Sequence, residues 1–379
     1  MNSYDFTEGQ YPRRILLACP QRIGDVLLAT PLVRSMKRAW PLAAIDVLVF
    51  AGTEGVLEGN PDIAGIITVP RQAGLTEKIR QMRRLWRRYD LAISPLPTDR
   101  ARLYCWVAGR RRIGVINPAA KDRGKALLLN GHLLFDDLDT HTVSMGLQLT
   151  GLLGIPPCFE VVPPGIPLVR LSALLDRLAP LEGAPYAVLH PFPKFRYKMW
   201  TREAWIGLAR QLKMRGLSVV FSGSADPAET AYVEEIARAL PDSSLNLAGT
   251  LSLAETAELI RQSRLYVSPD TAVTHIAAAT GIPTIALFGP SNPVKWGPWP
   301  SDWTGSASPW SRRGSGRQGN VYLVQGTGDC VPCMLEGCQR HIDSSSDCLQ
   351  NMTVRAVMGA VTAILTGASP KPMPPTMPP

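Results

Sequence analysis

Residues 265–279 read LYVSPDTAVTHIAAA, and this stretch decides the class of fold. Its apolar start predicts a short buried strand, Ser268–Thr271 a polar turn, and the small residues from Ala272 onward a helix. A helix that begins directly after a strand points free backbone N–H groups and its positive dipole end at the turn. A diphosphate suits such a turn. Capping of the helix by Asp270 or Thr271, with His275 packed behind, explains the same residues without a ligand.

Outward from this stretch, strand and helix signals alternate along most of the chain. Such alternation predicts an α/β fold with parallel sheets covered by helices. The predicted strands are Arg14–Cys19, Ile45–Phe50, Ile63–Val69, Leu91–Ser94, Tyr186–His190, Leu217–Ser222, Leu265–Val267 and Pro283–Phe288. The predicted helices include Asp25–Ala39, Thr201–Gly216, Pro227–Ala239, Leu253–Gln262, Ala272–Thr280 and Thr353–Leu365.

The chain has 379 residues, a length that suits two domains. A proline-rich segment near 162–167 predicts the linker. We predict an N-terminal domain over residues 1–165, a C-terminal domain over 166–352, a last helix over 353–366 and a disordered tail over 367–379. Residues 301–328, rich in Gly, Ser and Arg, are predicted to form a mobile loop. Ligands of open parallel sheets bind outside the carboxyl ends of the strands, so we expect the site in a cleft between the halves.

The formal net charge of +9 is concentrated in two parts of the N-terminal half. One is the arginine-rich stretch 71–88, and the other lies within 110–125. Such clusters attract phosphates of nucleic acid, of an anionic membrane or of an anionic substrate, although a solvated helix face explains them equally well. Neither carries a nucleic-acid-binding motif, so no nucleic-acid partner is expected. The N-terminus resembles no signal peptide, which predicts a cytoplasmic protein.

Two further loops follow predicted strands. Residues 190–200 read HPFPKFRYKMW, and the cations Lys194, Arg196 and Lys198 suit a phosphate, unless the loop is simply exposed and basic. Residues 22–31 read RIGDVLLATP, directly after the first strand. There Asp25 serves either as an N-cap or as a carboxylate at the mouth of the cleft, a suitable place for a general base. The loop after the strand Pro283–Phe288 is a generic turn.

Four of the seven cysteines lie close together near the C-terminus, namely Cys330, Cys333, Cys338 and Cys348. They supply enough soft ligands for a structural zinc ion, but they lack the two paired knuckles of a strong zinc signature. Reduced thiols on a packed loop are the alternative. The acidic pair in Asp137–Asp139 resembles the D-x-D of metal-dependent sugar transferases, but it lies far in sequence from the other candidates, and we discount it.

Taken together and in order, these motifs resemble the ADP-heptose:lipopolysaccharide heptosyltransferases of glycosyltransferase family 9. The matching pieces are residues 22–31, Lys198–Trp200, Ser268–His275, Phe288–Ser291 and Trp296–Pro298. The resemblance implies a GT-B fold, in which two Rossmann-like domains face each other across a cleft. It also implies that the last helix packs back on the N-terminal domain, which binds the acceptor, while the C-terminal domain binds the nucleotide sugar.

The resemblance assigns roles residue by residue. Asp25 matches the family's general base, and Lys198 matches the lysine that holds the leaving phosphate. The phosphate and sugar contacts match residues of the turn and the helix after it, namely Asp270, Thr271, Ala272 and His275. Glu229 falls where the family has a ribose-binding glutamate, and Phe192 falls at a nucleotide contact. The family usually has glycine at the position of Ala272.

The activity that the resemblance implies is an inverting, metal-independent transfer of heptose from ADP-heptose to a phosphorylated, lipid A-linked acceptor. No cofactor is required. We expect the enzyme to work on the anionic inner face of the cytoplasmic membrane. A transferase with another donor or acceptor, and a relative that binds nucleotide sugar without catalysis, remain the alternatives.

Overall fold

The computed structural model describes residues 11–240 and 244–367, apart from the side chains of residues 120, 121 and 123. The chain forms two compact units. The first contains the residues up to Leu174, with Ser252–Glu258 and Val294–Pro309. The second contains Leu175–Leu251, Leu259–Pro293 and the residues from Trp310 onward. The boundary therefore lies beyond the predicted residue 165, and residues 294–309 return to the first unit.

The first unit is built on a six-stranded parallel sheet with the order β3-β2-β1-β4-β5-β6. This is the Rossmann strand order, with its switch point between β1 and β4. The strands are β1 (Arg14–Ala18), β2 (Ala44–Phe50), β3 (Gly65–Val69), β4 (Tyr89–Ser94), β5 (Gly109–Ile116) and β6 (Gly131–Leu134). The α-helices in sequence up to the boundary are α1 (Ile23–Leu28), α2 (Thr30–Ala39), α3 (Leu75–Leu85), α4 (Asp99–Ala108), α5 (Thr142–Leu147), α6 (Leu149–Leu153) and α7 (Leu168–Leu178).

The predicted helix Asp25–Ala39 is two helices. The break lies at Ala29, and Pro31 is the second residue of α2. Because proline has no N–H, it cannot donate to the Leu27 carbonyl oxygen as a helical residue would. The Thr30 hydroxyl donates to that oxygen instead, at 2.7 Å.

The second unit repeats the Rossmann order. Its seven strands run β12-β13-β11-β10-β7-β8-β9, and read from β9 the six parallel ones follow the same 3-2-1-4-5-6 pattern. They are β7 (Tyr186–Leu189), β8 (Ser218–Phe221), β9 (Ser244–Asn246), β10 (Leu265–Pro269), β11 (Thr284–Phe288), the antiparallel β12 (Gly316–Gln318) and β13 (Val321–Gln325). The later helices are α8 (Arg202–Met214), α9 (Pro227–Arg238), α10 (Leu253–Arg261), α11 (Ala272–Ala279), α12 (Pro293–Trp296), α13 (Asp347–Gln350) and α14 (Val354–Thr366).

The prediction of a mobile loop over residues 301–328 was wrong for its last part. Strand β13 lies there, and it pairs in parallel with β11 from Thr284 to Phe288. Its residues Val321, Leu323 and Val324 are buried. The glycines and serines before β13 masked a short apolar strand, which the sheet stabilises by burying it.

The last helix, α14, was assigned to the wrong core. Thr353 caps it by accepting from the N–H of Ala356. Its buried residues Val357, Val361 and Ile364 belong to the apolar core of the second unit, with Trp205 of α8 and Val324 of β13. The predicted tail lies outside the described residues except for Gly367. Among the described helices, none is long and apolar enough to cross a membrane.

Candidate functional site

Asp25 lies in the first turn of α1, directly after the loop that follows β1. Arg22, and not Asp25, is the N-cap of α1, and the Asp25 carboxylate accepts a hydrogen bond from the Arg22 N–H at 3.3 Å. Burial raises the pKa of Asp25, although the Arg22 N–H, the Arg22 guanidinium and the Lys295 ammonium all act to lower it. A partly buried carboxylate with a raised pKa is a stronger base than an exposed one.

Lys295 is the residue near Asp25 that the sequence analysis missed. Its side chain is 5% exposed and forms an ion pair with Asp137. The ammonium nitrogen lies 4.4 Å from the centre of the Phe135 ring. Burial lowers the pKa of Lys295 to about 8, although Asp25 and Asp136 act to raise it. The acidic turn 136–139 therefore holds a lysine. A single cation among the apolar and aromatic residues 293–299 was the signal that could have identified it.

Packing within the first unit fixes the segment that carries Lys295. The Thr142 hydroxyl donates to the Lys295 carbonyl oxygen at 3.2 Å, and the His141 ring nitrogen Nε2 lies 2.8 Å from the Gly297 carbonyl oxygen. The Trp299 indole N–H donates to the Phe159 carbonyl oxygen at 3.0 Å. These hydrogen bonds fix the backbone of the segment, so Lys295 does not lie on a loosely attached loop.

The second unit brings the predicted residues Lys198 and Asp270 together at the turn between β10 and α11. The Lys198 ammonium lies 2.5 Å from the Asp270 carboxylate, although the two residues are 72 positions apart. The Ser291 hydroxyl, after β11, donates to the same oxygen at 2.6 Å. Burial alone would raise the pKa of Asp270, but Lys198 and Ser291 outweigh it and hold the pKa below its usual range. The turn thus presents a fixed ammonium next to a helix N-terminus, and Ser291 is a further residue that the sequence analysis treated as a generic turn.

Thr271 caps α11, as the alternative interpretation of the turn required. Its hydroxyl accepts from the Thr274 N–H at 3.3 Å, and the Ser268 hydroxyl donates to the His190 carbonyl oxygen at 2.9 Å. The cap leaves the first N–H groups of the helix directed outward. Capping and anion binding are therefore compatible in this turn.

His275 differs from a histidine that simply packs behind the helix. The ring is 6% exposed, and its Nδ1 atom is buried without a hydrogen-bond partner. Burial lowers the pKa of His275 to about 4, with Lys198 acting in the same direction and Asp270 against it. A buried ring nitrogen without a protein partner is costly, so Nδ1 of His275 can accept or donate a hydrogen bond to a water molecule or a ligand.

Ala272 is the first residue of α11. It is not one of the described non-glycine residues that have a positive φ. Its backbone is one that alanine adopts without strain. Alanine at this position therefore imposes no backbone strain on the turn.

Glu229 lies in the first turn of α9, and Phe192 lies in the loop that follows β7. The Ser224 hydroxyl donates to one carboxylate oxygen of Glu229, and the other oxygen lies 3.8 Å from Nε2 of His190. A Cβ on Gly223 would come within 2.9 Å of that second oxygen, which explains the glycine there. The Phe192 ring meets the Tyr232 ring edge-on, with 5.4 Å between ring centres. Both residues are fixed by neighbours within the second unit.

The four C-terminal cysteines are free thiols. Cys338 accepts a hydrogen bond from the Asp347 N–H at 3.4 Å. Burial raises the pKa of Cys348 to about 11, and the other three thiols act in the same direction. Among the described residues, no group of three or more His, Cys, Asp or Glu side chains is arranged to hold a metal ion.

Two sheets of Rossmann order, each with its polar candidates after the strands at its switch point, define a GT-B glycosyltransferase. The chain belongs to glycosyltransferase family 9 (heptosyltransferase), whose family model matches residues 83–313.

A curated relative is lipopolysaccharide heptosyltransferase 3 of Escherichia coli, which is 27% identical over 315 residues and covers 79% of this chain and 92% of its own. Two solved structures share the fold. One is a family 9 protein from Veillonella parvula, with a TM-score of 0.75, 18% identity, and coverage of 97% of this chain and 99% of its own. The other is ADP-heptose lipopolysaccharide heptosyltransferase II of E. coli, with a TM-score of 0.70, 22% identity, and coverage of 93% and 99%.

Proposed function

We propose that this glycosyltransferase transfers a heptose from ADP-heptose to the phosphorylated, lipid A-linked core of lipopolysaccharide. The transfer inverts the anomeric carbon and uses no divalent metal. The names of the relatives support the donor and the acceptor. The observation that supports the chemistry most is the turn before α11, where Asp270 holds the Lys198 ammonium next to the helix N-terminus.

Asp25 is the general base in this proposal. An acceptor hydroxyl gives its proton to the Asp25 carboxylate while its oxygen bonds to the anomeric carbon of heptose. The bond from that carbon to the diphosphate breaks, and its electron pair leaves with ADP. Attack from the face opposite the leaving group inverts the configuration. The transition state resembles an oxocarbenium ion, as in glycoside hydrolysis.

The turn of α11 stabilises the charge that grows on the departing diphosphate. Lys198 supplies an ammonium that Asp270 holds in place at 2.5 Å, and α11 supplies its first N–H groups. His275, neutral because its pKa is about 4, supplies a ring N–H if that tautomer faces the phosphate. Fixed donors of this kind can take the role that a divalent metal has in other sugar transferases.

The roles of Glu229 and Phe192 follow from the family resemblance. Glu229 binds the ribose hydroxyls in this proposal, and one of its carboxylate oxygens is buried without a hydrogen-bond partner. Phe192 lies partly exposed against Tyr232 and contacts the nucleotide. Neither group enters the bond-making step.

A donor other than ADP-heptose is the second candidate function. Ala272 is the residue that favours it, because the family resemblance implies glycine at this position and alanine adds a methyl group at the predicted diphosphate turn. The same turn then binds a diphosphate of another nucleotide sugar. A relative that binds nucleotide sugar without catalysis would have no need for a base, and Asp25 with a raised pKa argues against it.

The enzyme works at the anionic inner face of the cytoplasmic membrane in this proposal, because its acceptor is lipid-linked. For the four-cysteine group, reduced thiols on a packed loop agree better with the structure than a structural zinc ion does, because the described residues form no metal-holding group. Any such metal would stabilise residues 330–348 and take no part in the transfer.

The donor is tested by calorimetric binding of ADP, UDP, GDP and ADP-heptose in the presence of EDTA. We expect ADP and ADP-heptose to bind at least about tenfold more tightly than the other two, since wrong pairing of buried polar groups is costly. Preference for UDP or GDP would retain the fold and contradict the proposed donor. Replacement of Ala272 by glycine separates the two candidates. It should strengthen the binding of ADP-heptose only if the methyl group crowds the diphosphate of that donor.

Lys295 is a positioning residue in this proposal, and Lys295→Met tests it. The ammonium favours the charged form of Asp25, so its removal lets burial raise the pKa of Asp25 further. Activity that needs the carboxylate is lost as the pH falls through that pKa. We therefore expect the acid limb of the kcat/KM–pH profile to move to higher pH in Lys295→Met and to be restored in Lys295→Arg.

Lys37→Met is the matched control for Lys295, because the Lys37 ammonium only donates to the Ala43 carbonyl oxygen, at 2.9 Å. Its pH profile should equal that of the wild type. An unchanged acid limb in Lys295→Met, with the protein folded, would contradict the positioning role without affecting the assignment of the donor.

A further inference from the structure

The face formed by α3 and the adjoining side of α4 presents large apolar side chains outward. Leu75, Ile79 and Trp86 are 74%, 43% and 55% exposed. At 100° per residue, their spacing of four and seven places them within about 40° of one another around the helix axis. They form one stripe, which we call the α3 stripe. Single exposed apolar residues are common, but an ordered stripe is not.

This stripe adjoins the side of α3 that packs on the sheet. Leu85 is buried in the core of the first unit, and Met82 packs against the same core. At 100° per residue, Met82 lies about 20° from Leu75 around the helix axis, so the exposed stripe and the core-facing residues belong to one broad apolar side. Packing on the sheet covers Met82 and Leu85 and leaves Leu75, Ile79 and Trp86 exposed.

Helix α4 extends the apolar surface. Trp106 and Leu103 are 37% and 38% exposed. The Trp86 and Trp106 rings meet edge-on, with 6.2 Å between their centres. The Arg87 guanidinium lies over the Trp86 ring at 5.6 Å. Two tryptophans with a neighbouring arginine are typical of the interface between lipid and water, where an apolar ring and a charged group are both accommodated.

The stripe is bordered by cations. On the surface of α3, Ile79 lies next to Thr76, Arg80, Arg83 and Arg84. The acidic residue of α3 is Glu77, which pairs with Arg80 at 2.9 Å. The exposed cations of this helix and the residues after it are Lys78, Arg80, Arg83, Arg84, Arg87 and Arg88. Such a distribution, apolar side chains flanked by arginines, is that of a helix that lies in the plane of an anionic bilayer.

We propose that the α3 stripe, with Trp106 and its flanking arginines, is the surface by which this enzyme docks on an anionic lipid bilayer. Docking would bring the enzyme to a lipid-linked acceptor, and this purpose alone rests on the proposed function. Charge complementarity selects anionic headgroups, and the apolar stripe selects a bilayer over a nucleic acid. A duplex would contact the arginines and leave Leu75 and Ile79 in water.

Sedimentation with vesicles tests the docking surface, using the full chain without substrates. Vesicles contain equal parts phosphatidylcholine and phosphatidylglycerol, or phosphatidylcholine alone. We expect binding to the anionic vesicles only. The double substitution Ile79→Glu and Trp86→Glu should weaken it at least about tenfold, since both the apolar contact and the charge attraction fall. Each of Arg83→Gln and Arg84→Gln should weaken it about fivefold, more so at low salt.

Two control variants carry the same chemical changes elsewhere. Leu42→Glu places a charge on the fully exposed Leu42, and Arg210→Gln removes an exposed arginine of α8. Both should bind vesicles as the wild type does, and thermal unfolding should show all variants folded. Equal losses in variants and controls, no binding by the wild type, or tighter binding to duplex DNA than to vesicles would overturn the proposal.

A lipid-free acceptor separates this proposal from the proposed function. The α3 variants should transfer sugar to a deacylated acceptor at the wild-type rate. If the wild type does not transfer sugar to the deacylated acceptor, the proposed function is contradicted. The result of the vesicle-binding experiment does not depend on this outcome.

Discussion

Asp25→Asn is expected to lower kcat by a factor of about 10²–10⁴, the range that a positioned general base contributes. An amide cannot take the proton from the acceptor hydroxyl, but it keeps the size of the carboxylate and can still accept from the Arg22 N–H. The affinity for ADP should not change, because the turn that binds the diphosphate belongs to the second unit. Steady-state kinetics with saturating acceptor, together with calorimetry of ADP, measure the two effects separately.

Asp62→Asn is the control for Asp25. Asp62 is a carboxylate of the same unit whose partner is Arg34, at 2.7 Å. Its substitution should leave kcat within about twofold of the wild type, since an ion pair away from the reacting atoms influences stability more than the barrier. Full activity of Asp25→Asn would remove Asp25 from its role as the base.

Lys198→Ala carries the second large effect. It removes the ammonium that neutralises the leaving diphosphate, and the loss of one such donor raises the barrier by about 3–4 kcal/mol. We therefore expect kcat to fall by about 10²–10³. The substitution also leaves the Asp270 carboxylate without the cation that keeps its pKa low, so the pKa of Asp270 should rise.

Lys194→Ala is the control in the same loop, because Lys194 is exposed and lies 5.8 Å from the Phe195 ring. It should retain wild-type kcat. A change confined to the KM for the donor in Lys198→Ala would contradict a role in the transition state, since it would indicate equal loss of binding in ground state and transition state. Thermal unfolding of both variants identifies any loss of folded protein.

The sequence was sufficient for the fold class because each predicted strand and helix is a local pattern. The turn at Ser268–Thr271 and the loop before Trp200 both follow strands, and neighbouring parallel strands bring their carboxyl ends to one edge. Strands β7 and β10 are indeed neighbours. For that reason the pattern of strands and loops is enough to place Lys198 and Asp270 at the same edge of the sheet.

The sequence was insufficient where the position of a residue depends on contacts that are distant in the chain. Lys295 contacts Asp137 and Phe135 because residues 294–309 return to the first unit, and no periodicity in the sequence encodes that return. The sequence pattern of α14 likewise predicts an apolar face but does not say whether the core of the first or of the second unit buries it. Only the packing of Val357 and Ile364 with Trp205 identifies the core that buries it.

The most direct test of the central claim is incubation of the full chain with ADP-heptose, EDTA and a panel of lipid A-linked lipopolysaccharide core acceptors. Mass spectrometry then identifies the product, and nuclear magnetic resonance assigns the configuration of its new anomeric carbon. The account predicts that one acceptor gains a single heptose with inverted configuration and that ADP is released in equal amount. Retained configuration, a requirement for a divalent cation, or transfer only from another nucleotide sugar would contradict it.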